Sequence, residues 1–337
     1  MKNKKKSLPS EKRLINLIKK FHWQIRSEVR KQILEKSYEE LSRVAKEGMA
    51  DISYKIDVAA SEKFIEEFAL SLSKTCPVAI IVEGWKRKVF PEGSIPRLEI
   101  IIDPIDGTRG LMYDLRSAWI LTGVAVHKVK GNNLSDIYLA VQTEISLTKQ
   151  TQGSVLWAVK GKGATEEIYN LKTGKLSRKG ILQTSPAKSI RHGFACFVDF
   201  FPGCKEEIGR LADTVFEKVL GSVKKGEASV FNDQYIANAG QMYLLSTGRY
   251  RFIADLRPET EKILNKKGKK LGLAAHPYDI CTALIAEEGG AIITDAKGNK
   301  LSYPLETDID CSWIGYANKA IRNSVEPVLL KELKKLS

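Results

Sequence analysis

A short apolar run that ends in a tight acidic turn constrains this chain more than any other feature. The run Leu98 to Ile102 is apolar at four of its five positions, and Asp103-Pro104-Ile105-Asp106-Gly107-Thr108 follows it directly. A run of this length bounded by turn residues predicts a buried β-strand, and the proline and glycine of the hexapeptide force a turn after it. Asp103 and Asp106 are therefore expected to lie close together at one end of a sheet.

The two carboxylates of this turn point to a metal site. Two negative charges held close together repel each other unless a cation lies between them. Carboxylate oxygens are hard ligands, which favours Mg²⁺, Mn²⁺ or Ca²⁺ over Zn²⁺. Asp-Pro and Asp-Gly are also common in ordinary turns, so the hexapeptide alone leaves a purely structural interpretation open.

Two other segments present carboxylates in a similar way. A second apolar run, Val78 to Val82, ends in Glu83, and Asp279 precedes the segment Ile280 to Glu288, which is predicted to be a helix. At a helix N-terminus the dipole favours an anionic side chain, and a phosphate can approach there as well. A lone aspartate at this position is nevertheless more often a helix N-cap than a ligand.

The rest of the chain predicts an α/β fold of two packed units, residues 1–185 and 186–337. Apolar residues recur every three or four positions over 11–47, which predicts one or two helices, and another helix is expected over 58–74. Short apolar runs predict strands at 78–82, 98–102, 118–126, 137–141 and 154–159. Beyond residue 185, helices over 204–219, 234–246 and 279–288 are expected to alternate with strands near 193–198, 250–254 and 291–294.

Composition narrows the class of protein. The chain has 337 residues, 43% of them hydrophobic, which is enough for one large core or two ordinary ones. No run approaches the roughly 20 apolar residues of a membrane span and no secretory signal opens the chain, so we expect a cytoplasmic protein without a membrane partner. Its five cysteines are widely spaced, with no CxxC pair, which argues against a disulfide framework and a zinc site.

The formal net charge of +14 is unevenly distributed. Residues 1–50 carry fourteen Lys and Arg against six Glu, and a second basic cluster lies at 266–270. Such charge suits an anionic substrate, a nucleic acid or simply a solvated surface. Because the basic residues of the first segment alternate with a helical apolar period and not with exposed aromatic residues, nucleic acid is not the favoured partner.

Together these segments resemble the inositol monophosphatase family, within the wider group of metal-dependent, lithium-sensitive sugar phosphatases. The hexapeptide 103–108 matches the family's first signature, and Asp279 with the Gly-Gly-ended segment after it matches the second. Lys46, the stretch 51–57 and the predicted hairpin 153–164 are similar to further family segments in the same order. The resemblance spans about residues 40–300 and implies a five-layer αβαβα sandwich with the site between its halves.

The resemblance also implies a role for each site residue. Magnesium ions would be held by Glu83, Asp103, the backbone carbonyl of Ile105, Asp106 and Asp279, the last completing a second metal position. Thr108, paired with Asp57, would orient the attacking water together with Glu83. Two metals a few ångströms apart lower the pKa of water and neutralise the charge that spreads over the phosphoryl oxygens.

Substrate contacts are implied in two places. Asp106 and the backbone N–H groups of Gly107 and Thr108 would contact the phosphate end. Asp255 would contact substrate hydroxyls, although an ordinary charged turn residue explains it nearly as well. The lysine-rich insertion 259–273 is interpreted either as a lid that grips a second phosphate or, preferably, as a solvated excursion.

The implied activity is a Mg²⁺-dependent phosphomonoesterase that hydrolyses a small phosphate ester, such as inositol monophosphate or a sugar phosphate, by two-metal activation of water. Fructose-1,6-bisphosphatase and nucleotide 3′-phosphatase activity stay open, as does, in another class, a non-catalytic basic protein that binds nucleic acid. Relatives often dimerise, which leaves a homodimer open.

Three positions depart from the family pattern. Gly84 stands where a second glutamate is usual, which puts the affinity of the weaker metal position in doubt. Tyr278 replaces a tryptophan, and Tyr54 replaces a threonine. None of these changes removes an expected metal ligand.

Overall fold

The computed structural model describes residues 8–41, 44–47 and 52–335, with the side chains of 44–47 and 52–60 left outside the description. Its helices are α1 (Glu11–Glu35), α2 (Tyr38–Leu41), α3 (Lys55–Ser73), α4 (Thr108–Met112), α5 (Lys205–Leu220), α6 (Asn238–Ser246), α7 (Glu261–Lys266), α8 (Ala283–Glu288) and α9 (Lys319–Leu333). Two 3₁₀ helices span Leu134–Asp136 and Arg257–Thr260.

The strands form one large sheet, one small sheet and a short hairpin. They are β1 (Val44–Glu47), β2 (Ile52–Tyr54), β3 (Val78–Val82), β4 (Lys88–Phe90), β5 (Leu98–Asp106), β6 (Ala118–Val126), β7 (Ile137–Ile145), β8 (Gln152–Val159), β9 (Ala164–Asn170), β10 (Leu176–Ile181), β11 (Phe194–Phe197), β12 (Tyr250–Asp255), β13 (Ile292–Thr294) and β14 (Trp313–Tyr316). The large sheet has the order β10-β9-β8-β7-β6-β5-β3-β4, and the small sheet has the order β11-β12-β14-β13.

These elements stack in five layers. Helices α1 and α3 cover one face of the eight-stranded sheet, and α6 and α8 fill the space between its other face and the four-stranded sheet. Helices α5 and α9 cover the far side of the small sheet. The order αβαβα confirms the predicted fold class.

Residues of β5 show how the layers are held together. Successive side chains of a strand point to opposite faces. Ile100 and Ile102 accordingly pack with the apolar face of α1, while Ile101 packs in the core between the two sheets. Because both faces of β5 are buried, four of its first five residues are apolar, which is what made this strand visible in the sequence.

Several elements differ from the sequence prediction. Helical periodicity continues to residue 47, but α1 ends at Glu35 and residues 44–47 form a strand. Strand β5 continues to Asp106, with an irregular register between Asp103 and Asp106, where a turn was expected after residue 102. The predicted division near residue 185 lies between the last strand of the large sheet and β11, and separate domains stay a prediction.

Two further observations concern membrane-spanning helices and the cysteines. Within residues 8–41, 44–47 and 52–335, no helix is long and apolar enough to cross a membrane. All five cysteines are buried free thiols. The expectation of a chain without disulfides is therefore consistent with the structure.

Candidate metal centre

Two parallel neighbouring strands carry Glu83 and Asp103 to the same edge of the large sheet. Strands β3 and β5 pair in parallel, with Val82 opposite Ile102. Glu83 directly follows Val82, and Asp103 directly follows Ile102. Carboxyl ends of parallel strands meet at one edge, which is a common place for a site in an α/β fold.

The hexapeptide after this edge is held by local hydrogen bonds. The backbone N–H of Ile105 donates to Oδ1 of Asp103 at 2.9 Å, and the Thr108 hydroxyl donates to the carbonyl oxygen of Ile105 at 3.0 Å. Gly107 has a φ of 93°, a left-handed conformation that favours glycine. A Cβ at this position would lie 2.8 Å from the Cβ of Ala237, so the turn needs glycine for space as well as conformation.

Asp106 is bound by the other half of the chain. Its Oδ2 accepts a hydrogen bond of 2.6 Å from the backbone N–H of Ala239, in the first turn of α6. N–H groups in a first helical turn have no intrahelical partner, and the dipole there favours negative charge. The contact fixes the carboxylate between the two sheets.

Asp279 comes from a turn, which corrects its expected position at a helix N-terminus. Helix α8 begins only at Ala283, and Oδ2 of Asp279 accepts a 2.6 Å hydrogen bond from the backbone N–H of His276. The carboxylate caps its own turn and is not the cap of α8. His276 also places its Nδ1 3.6 Å from the same oxygen, and its ring stacks on Tyr278.

The side chains of Asp103, Asp106 and Asp279 meet at one point. One oxygen from each lies within 4.8 Å of the others. Burial, followed by the charges of Glu83, Asp106 and Asp279, raises the pKa of Asp103 well above its usual range, against the N–H of Ile105. Burial and the charge of Asp279 also raise the pKa of Asp106, against the N–H of Ala239 and the charge of Arg257.

This donor set fits a hard divalent cation. All three groups are carboxylates, and their oxygens lie close enough together to repel one another. Mg²⁺, Mn²⁺ and Ca²⁺ prefer such oxygen ligands. Glu83 lies outside this tight group but lines the same cleft, and its charge acts on Asp103.

An open cleft of about 250 Å³ gives access to the carboxylates. Glu83, Gly107 and Thr108 line it together with all three aspartates, so the structure brings these predicted site residues together. Asp57 belongs to α3, but its side chain lies outside the described residues.

Solved structures share this architecture over almost the whole chain. The extragenic suppressor protein SuhB of Bartonella henselae is 17% identical, and the match covers 94% of this chain and 98% of that one with a TM-score of 0.63. Fructose-1,6-bisphosphatase of Leishmania major, in holo form, is 16% identical, with 96% and 93% covered and a TM-score of 0.64. Inositol monophosphatase II of Staphylococcus aureus is 14% identical, with 96% and 98% covered and a TM-score of 0.61.

The chain has the inositol monophosphatase fold. The resemblance seen in the sequence is thereby confirmed at the level of the fold. No protein-family model and no curated protein matches the chain. At these identities the likeness establishes the fold alone, and the chemistry has to be argued from the site.

Within this inositol monophosphatase fold, Asp255 is not placed as the resemblance implies. It is fully buried at the end of β12, and its two carboxylate oxygens accept from Nε and Nη2 of Arg257 at 2.8 and 2.6 Å. The cleft is lined by Arg257 and not by Asp255. This placement speaks against a contact between Asp255 and substrate hydroxyls.

The departure at Gly84 has a backbone explanation. Gly84 follows β3 with a φ of 73°, and an L-residue at that conformation is strained. Its neighbour Trp85 donates its backbone N–H to the carbonyl of Val82, which closes the turn. Glycine therefore fits this turn, at the cost of the second carboxylate that relatives usually have there.

One wall of the cleft was not predicted from the sequence. That wall is formed by Arg109, Phe200, Phe201, Arg257 and Leu273. Leu273 ends the lysine-rich insertion, whose Leu264 is buried and whose Lys267 pairs with buried Glu207 at 2.7 Å. Most residues of the insertion are exposed, but Leu264 and Lys267 attach it to the rest of the protein. In the sequence, the only indication that Arg257 lies at the site is its position two residues after Asp255, at the end of a strand.

Proposed function

We propose that the chain is a Mg²⁺-dependent phosphomonoesterase of the inositol monophosphatase family that acts on a small phosphate ester. One observation carries the proposal: the carboxylates of Asp103 and Asp106 on β5 and of Asp279 on a distant turn converge within 4.8 Å in an open cleft of this fold. Two of these carboxylates are buried and the third is half-buried, and holding them so close together is unfavourable for stability, which supports a cation-binding function.

Each carboxylate has a role in this proposal. Asp103, Asp106 and Asp279 would hold magnesium, with Glu83 and the backbone carbonyl of Ile105 as further ligands. When bound, the metal supplies Lewis-acid polarisation of the phosphoryl oxygens and acidifies a water molecule. The hydrogen bonds from Ile105 to Asp103 and from Ala239 to Asp106 keep these carboxylates oriented before the ion arrives.

The attacking water would be oriented by Thr108 and Glu83, with Asp57 as the partner of Thr108. The Thr108 hydroxyl lies 3.0 Å from the carbonyl oxygen of Ile105, and in the proposal its rotatable proton would turn to the Asp57 carboxylate, which leaves its lone pairs to accept an O–H from water. Glu83 lies in the same cleft and can take up the proton that the water loses. The N–H groups of Gly107 and Thr108, with Asp106, would contact the phosphoryl group.

Phosphate release with Mg²⁺ tests the proposal. A panel of inositol 1-phosphate, glycerol 2-phosphate, fructose 1,6-bisphosphate and a nucleoside 3′-phosphate is incubated with the wild type and with Asp103→Asn and Asp279→Asn. We expect turnover of at least one ester that requires Mg²⁺ and falls at least about 100-fold in both variants. Asp213→Asn, exposed on α5, serves as the control and is expected to keep full activity.

Some results of the same assays would contradict the proposed activity. Hydrolysis of no ester, or wild-type activity in both Asp103→Asn and Asp279→Asn, contradicts the proposal. Salt-dependent binding of nucleic acid in the absence of any hydrolysis would favour the basic binding protein instead. A cytoplasmic location and a homodimer are also proposed. Sedimentation equilibrium tests whether the protein is a homodimer.

A further inference from the structure

A buried arginine forms part of the cleft wall next to the carboxylate cluster. Arg257 lines the cleft although its side chain is only 2% exposed. Its Nε and Nη2 donate to the two oxygens of Asp255, and Nη1 donates to the carbonyl of Leu273 at 2.5 Å. The guanidinium is thus fixed in the wall by a bidentate ion pair and a backbone contact.

The hydrogen bonds of Arg257 do not use all its donors. A guanidinium has five N–H groups, and the contacts to Asp255 and Leu273 use one on each nitrogen. Among the residues that the structure describes, the second N–H of Nη1 and that of Nη2 have no acceptor. A buried donor without a partner is costly, unless a ligand that enters the cleft accepts from it.

The surroundings of Arg257 favour an anionic acceptor. Its guanidinium carbon lies 4.7 Å from the ring centre of Phe200 and 5.5 Å from that of Phe201, so aromatic rings cover part of it. Arg109 lies over Phe201 at 5.3 Å and lines the same cleft. Although burial lowers the pKa of Arg257, the charges of Asp255 and Asp279 raise it overall, and Asp279 is a proposed ligand. The wall therefore carries positive charge close to the carboxylate cluster.

We propose that Arg257 is the specificity-determining residue of the cleft and binds an anionic group of the substrate other than the phosphoryl group that is hydrolysed. This inference rests on the proposed phosphomonoesterase activity. The substrate class is then a phosphate ester with a second phosphate or a carboxylate, and not an uncharged polyol phosphate. Asp255 is a positioning residue that holds the guanidinium by its Nε and Nη2 edge and leaves the other donors to the ligand.

Pairs of esters that differ by one anionic group test the inference. Glycerol 2-phosphate and 2-phosphoglycerate differ by a hydroxymethyl and a carboxylate group, and fructose 1-phosphate and fructose 1,6-bisphosphate differ by one phosphate. For at least one pair we expect the wild-type kcat/KM to favour the ester with the second anionic group by at least about tenfold. In the double variant Asp255→Asn/Arg257→Gln, which leaves no unpaired buried charge, this ratio should fall to near one.

Two further variants separate recognition from loss of structure. Arg257→Lys keeps the charge but not the planar fork, so its ratio should lie between those of the wild type and the double variant. Arg322→Gln, which breaks an ion pair with Glu326 on α9, should keep the wild-type ratio. A wild-type ratio near one for both pairs, or a ratio that the double variant preserves, overturns the inference.

A binding measurement separates failure of this inference from failure of the proposed function. Phosphonoacetate and 2-hydroxyethylphosphonate cannot be hydrolysed as esters, and they differ by a carboxylate and a hydroxymethyl group. Calorimetric titration of the Mg²⁺-loaded protein should show at least about fivefold tighter binding of phosphonoacetate, lost in the double variant. If simple esters are hydrolysed and neither ligand binding nor turnover depends on Arg257, the inference alone fails. If no ester is hydrolysed, the proposed function fails, and the titration still decides whether Arg257 binds the anion.

Discussion

The carboxylate of Asp106 accepts a 2.6 Å hydrogen bond from the backbone N–H of Ala239, a residue 133 positions further along the chain. This bond connects the end of β5 in the large sheet to helix α6 between the sheets. The candidate metal centre and the packing of the two sheets are therefore coupled at one oxygen atom.

Replacing Ala239 by proline should weaken metal binding. Proline lacks the N–H that Asp106 uses, yet it is tolerated in the first turn of a helix. Loss of such an orienting contact typically lowers metal affinity about 10- to 100-fold. The Mg²⁺ concentration that gives half-maximal phosphate release should rise by that factor. Glu206→Pro, at the equivalent position of α5, should leave it unchanged; an unchanged value in both variants would count against the coupling.

Gly107 and Gly131 form a matched pair for testing the hexapeptide turn. Both have a φ near 90°, but a Cβ would meet Ala237 at 2.8 Å at position 107 and nothing within 4 Å at position 131. Gly131→Ala should cost only the conformational strain, about 1–2 kcal/mol in the free energy of unfolding. Gly107→Ala should lower the free energy of unfolding by more than this and should abolish phosphate release. Adding Ala237→Gly to that variant should partly restore the release. Equal costs in urea unfolding would contradict this steric explanation.

Asp103→Asn should stabilise the metal-free protein. Asparagine keeps an acceptor for the N–H of Ile105 but removes a buried charge that Glu83, Asp106 and Asp279 repel. In EDTA the thermal midpoint should rise by about 2–4 °C, which corresponds to about 1 kcal/mol in a large domain. Magnesium at 100 times its Kd should stabilise the wild type by about 2.7 kcal/mol and the variant far less. A lower midpoint in EDTA would show that Asp103 is not repelled.

His22 should make stability fall in mildly acidic solution. It is fully buried, with its ring nitrogens 2.9 and 2.8 Å from the hydroxyls of Thr143 and Thr122. Burial, with the nearby charge of Arg26, lowers the pKa of His22 from 6.5 to about 3. Between these values the unfolded chain binds the extra proton and the folded chain does not, so stability is retained above pH 6.5 and lost as the pH falls.

The size of this effect can be measured by comparison with His22→Gln. From pH 6.5 to pH 5 the wild type should lose about 2 kcal/mol more than the variant, because one pKa unit corresponds to about 1.4 kcal/mol. The free energy of unfolding in urea at several pH values gives both slopes. Parallel profiles would mean that His22 is protonated in the folded protein.

The parts of the site that could be predicted are those fixed by local sequence. Glu83 and Asp103 each end an apolar run, and a buried strand bounded by turn residues is a strong local signal. Asp279 was predicted to be a site residue and lies in the carboxylate cluster, but its helix was expected four positions too early, since the capping turn with His276 resembles a helix start in sequence.

What could not be predicted depends on contacts between distant residues. The bond between Asp106 and Ala239 and the wall formed by Phe201 and Arg109 join segments that only the folded chain brings together. The pairing of Asp255 with Arg257 is local, but its burial is decided by the surrounding sheet. Strand β10 was missed because all of its residues are exposed and no apolar alternation marks it.

The order of strands in the small sheet has a consequence for biosynthesis. Strand β14, residues 313–316, lies between β12 and β13, so the sheet beside the carboxylate cluster is incomplete until the ribosome has made almost the whole chain. Asp103 and Asp106 are synthesised long before Asp279 and have to wait for it. A nascent chain released before residue 279 should therefore lack the complete carboxylate cluster.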